Sequence, residues 1–147
     1  MQSRPAFTLL ETTISLAIVC SMALIASYNL HDYQAKIEEQ QALEWFKNNL
    51  KGMFNYCYLN HESAVLYIDP SDHSIEIAPD NKLDSPRYQK RIFPKSLKFN
   101  SNSNLKYSIY KAGQASSITI SFNSDLTHQK YHYVIQTGWG EIIESKT

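Results

Sequence analysis

From Thr12 to Leu30 the chain runs TTISLAIVCSMALIASYNL, 19 consecutive positions without a charged side chain. At ~1.5 Å per residue a helix of that length crosses the ~30 Å hydrocarbon layer of a bilayer, so a membrane-spanning segment is expected within residues 7–30. Composition alone hides this, because the mean hydropathy is −0.39 and the 14 basic and 14 acidic residues cancel. The 147 residues suffice for one domain and leave no room for two large cores. Zero net charge supplies no global field toward nucleic acid or anionic lipid.

The flanks give a weak orientation. Arg4 precedes the run and Asp32, Glu38 and Glu39 follow it, which favours a cytoplasmic N-terminus, with Lys36 blunting the signal. Three plainer readings of the segment remain open. Ser21-Met22-Ala23 offers a small-x-small cleavage site for a secretory signal, although the basic region is thin and Glu11 stands at the front of the apolar run. Val19 before Cys20 argues against a lipoprotein signal. An uncleaved anchor is the third.

Glu11 discriminates among them. An ionised carboxylate in the middle of a membrane costs about 2.5–3.5 kcal/mol on insertion scales, and less near the edge. It needs a cation. No lysine or arginine lies between Phe7 and His31, so the sequence offers none at that depth unless cutting the leader creates a new α-amino group.

The run Ala6-Phe7-Thr8-Leu9-Leu10-Glu11 with its apolar continuation resembles the N-terminal signal of type IV prepilins and pseudopilins. The resemblance implies a leader at residues 1–6, removed between Ala6 and Phe7 by a membrane-bound prepilin peptidase that also N-methylates Phe7. It implies that Glu11, five places in from the cut, pairs with the N-terminus of a neighbouring subunit. Glycine is commoner before the cut than alanine; both are small, as a tight protease subsite requires. The glutamate would then act as a register device, satisfied on assembly.

The helical pattern continues past the apolar run. Between Phe7 and Lys51 there is neither proline nor glycine, and Leu43, Phe46, Leu50, Met53 and Cys57 step by three and four along one face. A helix over residues 7–60 would be roughly 80 Å long, apolar all round over 7–30 and amphipathic over 31–60. Gly52 marks a bend or a close approach of the sheet. Glu38 and Glu39 read as a solvated helix exterior.

Beyond Asn60 the period changes from 3.6 to 2. Ala64–Asp69 and His73–Ala78 flank the turn Pro70-Ser71-Asp72 as a hairpin. Pro79, Asp80, Asn81, Pro86 and Pro94 mark a loop. Strands are expected near 97–100, 105–111, 117–122 and 131–137, and after Gly138-Trp139-Gly140 a short last one at 141–144. Residues 61–147 should therefore form one small antiparallel sheet on the helix stripe, an α+β pilin-like fold. The segments Ile118–Asn123 and Tyr133–Ile142 narrow the resemblance to the D-type minor pseudopilins of Gram-positive competence pili (ComGD-like).

Catalysis finds no support. His31, His61, His73, His128 and His132 are scattered, and His128 with His132 suits a metal edge only if further ligands converge. Gly138-x-Gly140 lacks the third glycine and following helix of a phosphate cradle, and there is neither a G-x-S-x-G elbow nor HExxH. No enzyme activity, metal or cofactor is expected. Cys20 and Cys57 would lie about 55 Å apart on a continuous helix, so they cannot bridge within one subunit.

DNA contact is the rival binding function. Lys82, Arg87, Lys90, Arg91, Lys95 and Lys98 face only Asp84 between residues 82 and 98, with Tyr88 and Phe93 interleaved. Such a mixture holds phosphate and stacks bases, while the ordinary alternative is a solvated face or a protein contact. The resemblance implies a minor pilin of a competence filament, supporting DNA uptake. Its partners would be the peptidase, other major and minor pilins and the membrane, with DNA contact indirect or weak; it would sit in the cell membrane before processing and in the surface pilus afterwards. A type II secretion pseudopilin and a membrane-anchored DNA receptor are the alternatives.

Overall fold

The computed structural model describes residues 9–79, 85–101, 103–138 and 140–147, without the side chains of 26–29 and 31. Among the described residues one α-helix, α1 (Leu9–Asn60), precedes eight strands: β1 (Ala64–Asp69), β2 (Ser74–Pro79), β3 (Gln89–Ile92), β4 (Leu97–Phe99), β5 (Leu105–Ile109), β6 (Ile118–Ser124), β7 (Lys130–Ile135) and β8 (Ile142–Lys146). The chain divides into two compact units, Met1–Ala35 and Lys36–Thr147.

In the first unit, α1 exposes its apolar side chains on all sides, from Leu9 and Leu10 through Leu16, Val19, Leu24 and Ile25. The hydroxyls of Thr12, Thr13, Ser15 and Ser21 each donate to a carbonyl three or four residues earlier, at 2.8 Å. These hydroxyls are therefore satisfied by the helix itself. Among the described residues no helix is long and apolar enough to cross a membrane, so the span expected within residues 7–30 is not shown.

In the second unit the stripe works as expected. Leu43, Phe46, Leu50, Met53 and Cys57 are buried, joined by Ala42 and Phe54. Two four-stranded antiparallel sheets, not one, receive the helix: β3-β2-β1-β5 and β4-β6-β7-β8. The β1–β2 hairpin forms with Asp69 opposite Ser74. Asp69 Oδ1 accepts the N–H of Ser71 at 2.9 Å, the local bond that lets aspartate start a turn. β3 lies inside the stretch expected to be a loop. Its sequence Gln-Lys-Arg-Ile has no alternation of polar and apolar residues because it is an edge strand, paired to β2 on one side and largely exposed.

The core is aromatic where the elements meet. Phe122 on β6 packs against four rings with centroids 5.3–5.8 Å away, those of Phe46, Phe93, Phe99 and Tyr133. Each such pair contributes about 0.5–1.5 kcal/mol beyond area burial.

Two glycines reverse their expected importance. Gly52 has nothing within 4 Å of where a Cβ would stand, so no sheet approaches it closely. Gly140 has φ +67°, and a Cβ there would fall 2.3 Å from Phe54 Cδ1. The turn before β8 must therefore carry glycine twice over, for its backbone and for space.

Candidate assembly and contact surfaces

The junction Ala6–Phe7, the expected site of cleavage and N-methylation, lies outside the described residues. Glu11 is in the first turn of α1 and its side chain is exposed.

The basic segment is brought together, though not as an open patch. The Arg87 guanidinium lies over the Tyr56 ring, 5.2 Å from its centroid. The Arg91 guanidinium lies 5.9 Å from the Trp45 centroid and donates from Nη1 to the Gln41 carbonyl at 3.1 Å. Lys90 reaches Glu76 at 2.7 Å and Asp72 at 3.9 Å, and Lys98 reaches Asp125 at 2.7 Å. Lys90 titrates above its ordinary range, chiefly through its hydrogen bond to Glu76. Lys95 is exposed. Two arginines thus hold β3 and its approach onto α1, and two lysines answer local carboxylates. Lys82 and Asp84 fall outside the described residues.

Glu39 corrects the sequence reading. Glu38 is exposed as expected, but Glu39 is 2% exposed, on the side of α1 that faces the β6–β7 turn. Its Oε2 accepts the Ser124 hydroxyl at 2.6 Å, and Ser124 Oγ accepts the Thr127 N–H at 3.0 Å. A signal was present in the sequence. Glu39 precedes Ala42, Leu43 and Phe46 at helical spacing and so continues the buried face.

A polar cleft runs beside α1, where Gln40, Leu43, Glu44 and Lys47 face Tyr131, Tyr133, Glu144 and Lys146. Glu144 takes Lys47 at 3.0 Å and Lys146 at 3.6 Å. Burial holds the Tyr133 phenol well above the usual range, with Glu144 adding to the shift.

His132 is a cross-strand neighbour of Ser121, bonded to it through Nδ1 at 2.8 Å, while His128 lies in the turn before β7 with φ 55°. Among the described residues no group of three or more histidine, cysteine or acidic side chains is placed to hold a metal ion. Cys20 is exposed and Cys57 buried, both as free thiols.

No family model matches the chain. No curated protein matches its sequence. Among solved structures, the minor pseudopilin EpsH from the Type 2 Secretion System of Vibrio cholerae is similar in fold. The TM-score is 0.58 at 10% identity, over 74% of this chain and 96% of that one. The fold is therefore α+β and pilin-like, a long N-terminal helix packed on antiparallel sheets.

Proposed function

We propose that this protein is a minor pilin-like subunit of a surface filament, inserted as a prepilin, cut and methylated at Phe7, and assembled through its N-terminal helix. The observation that carries the reading is the split character of α1. Its stripe from Ala42 to Cys57 is buried on the two sheets, whereas its apolar residues from Leu9 to Ile25 are exposed on every side. A helix apolar all round belongs in lipid or among other helices, and the self-satisfied hydroxyls of Thr12, Thr13, Ser15 and Ser21 suit such surroundings. The likeness to the EpsH fold and the AFTLLE motif point the same way.

Within that class we favour a competence filament that supports DNA uptake, on the resemblance of residues 118–142 to the D-type competence pseudopilins. The type II secretion pseudopilin is the second reading, favoured by the EpsH comparison. In either case the protein is a structural subunit and not an enzyme. DNA uptake would run through filament assembly and not through residues 87–98, whose arginines lie against α1.

N-terminal mass spectrometry in cells with and without the prepilin peptidase tests the class. A chain beginning at methylated Phe7 only when the peptidase is present is expected; an intact Met1 in both overturns the reading. Deleting the gene separates the systems, since loss of transformation with normal secretion fits the competence filament and the converse fits the secretion pseudopilin.

A further inference from the structure

We propose that β8 of one copy and β3 of a second copy of this chain pair as antiparallel edge strands, with Ile142, Ile143 and Glu144 opposite Ile92, Arg91 and Lys90 of the second copy. β8 and β3 are each at one edge of their sheets, with β4 and β5 at the other edges. The ladder fixes which backbone groups each leaves outward. Lys130 and Thr147 exchange both N–H···O bonds, at 2.8 and 3.0 Å, and Gln136 N–H reaches the Glu141 carbonyl at 2.9 Å. Antiparallel pairs alternate, so residues 141, 143, 145 and 147 face β7. The N–H and C=O groups of Ile142, Glu144 and Lys146 point away from it. On β3, Phe93 N–H meets the His73 carbonyl at 2.7 Å; by the same alternation Lys90 and Ile92 point away from β2.

Outward groups pair only with outward groups, which leaves few registers. In the proposed one, Ile142 meets Ile92 and Glu144 meets Lys90. Ile92 is 71% exposed and Ile143 45%, so the contact covers apolar surface on both edges. Lys90, already 2.7 Å from Glu76, would stand between two carboxylates in a cross-strand row. Arg91 reaches toward α1 within its own copy, on the opposite face of β3 from Lys90. The two helices therefore fall on opposite faces of the joined sheet and do not collide.

Self-pairing is poorer for both edges. β3 against β3 sets Lys90 opposite Lys90, or Arg91 opposite Arg91, and like charges directly opposite are destabilising. β8 against β8 can match Glu144 with Lys146 but leaves Ile142 and Ile143 uncovered. Because each copy offers one β3 and one β8, the contact is heterologous and propagates from copy to copy.

Disulfide trapping tests the register, since paired Cα atoms lie about 5.5 Å apart, within disulfide reach. The full chain is prepared in detergent with Cys20→Ser; Cys57 stays in place, being buried. An Ile142→Cys population is mixed with an Ile92→Cys population and mildly oxidised. The mixed adduct is expected to exceed either self-adduct about tenfold. Introducing Glu144→Gln into the Ile142→Cys copy should lower that yield about fivefold. Self-adducts equal to the mixed one, or a yield no higher than from an Ile143→Cys with Ile92→Cys control, overturn the proposal. Neither result bears on processing at Phe7, which the N-terminal mass measurement reads separately.

Discussion

The Ser124 hydroxyl donates to Glu39 Oε2 at 2.6 Å, and this bond ties the β6–β7 turn to α1. Both residues are nearly inaccessible. The carboxylate is thus a buried acceptor on a face otherwise built from Ala42, Leu43 and Phe46. Buried polar groups persist where they are bonded, and removing one partner strands the other. Glu39→Ala is expected to destabilise the protein by about 2–3 kcal/mol, through the lost side-chain volume and a stranded Ser124. Glu39→Gln, which keeps an oxygen acceptor, should cost about 1 kcal/mol or less. Denaturant unfolding of the full chain in detergent measures both, and equal losses would reject the hydrogen bond as the cause.

Gly140→Ala and Gly52→Ala should move stability in opposite directions. The first forces a Cβ toward the Phe54 ring at a residue with φ +67°, and a loss of at least about 2 kcal/mol is expected. The second fills open space inside a helix, where alanine gains about 0.5–1 kcal/mol over glycine. Thermal unfolding of the two variants beside the parent checks the sign of each.

Burial pushes the Cys57 thiol up from 9.0 to about 11, with Glu62 adding to the shift. The thiol form is the one the fold favours. Its contribution to stability is therefore complete below pH 9, where the unfolded chain is also protonated, and is lost as pH rises toward 11. Unfolding midpoints should fall across that window, and Cys57→Ala should flatten this component while lowering the midpoint at neutral pH. The native thiol should also resist a disulfide reagent at pH 8 until the chain is unfolded.

Neutralising Lys90, Arg91 and Lys95 together should act on stability before it acts on nucleic acid. Lys90 is paired with Glu76, and Arg91 is held by the Gln41 carbonyl and the Trp45 ring. We expect a lowered unfolding midpoint, with no change in the salt dependence of DNA retention. A slope reduced by two or more would restore the DNA-binding reading of this segment.

Glu11→Gln is expected to leave processing at Phe7 intact while lowering incorporation into filaments at least about tenfold, because a neutral amide cannot pair with an N-terminal ammonium. Matured protein that enters filaments at the parental level would remove the assembly role of this residue. Sheared surface fractions probed by immunoblot give the comparison.

The helix, its stripe, the β1–β2 hairpin and the strands β4 to β7 were legible from periodicity, because each buries one face and exposes the other, whereas β8, which buries no residue, was read from the Gly138-x-Gly140 turn before it. β3 was not, since Gln89–Ile92 has no apolar face and owes its pairing to β2. The division into two sheets was equally hidden, as alternation states which face is buried and not which strand lies beside it. The charge of the basic run from Lys82 to Lys98 is plain in the sequence; where the charge of Arg87, Lys90 and Arg91 goes depends on Tyr56, Glu76 and Trp45, between 14 and 46 positions away.

Local order in the chain settled what could be settled locally: an uncharged run that favours helix and apolar surroundings, a carboxylate at its front edge, and a change of period after Asn60. Tertiary structure decided that Glu39 is an interior residue, that Gly140 and not Gly52 is the glycine the packing requires, and that the arginines of the basic segment lie against α1. Those outcomes turn on contacts between residues distant in sequence, whose free energies depend on burial and partner geometry and therefore exist only once the helix and both sheets have come together.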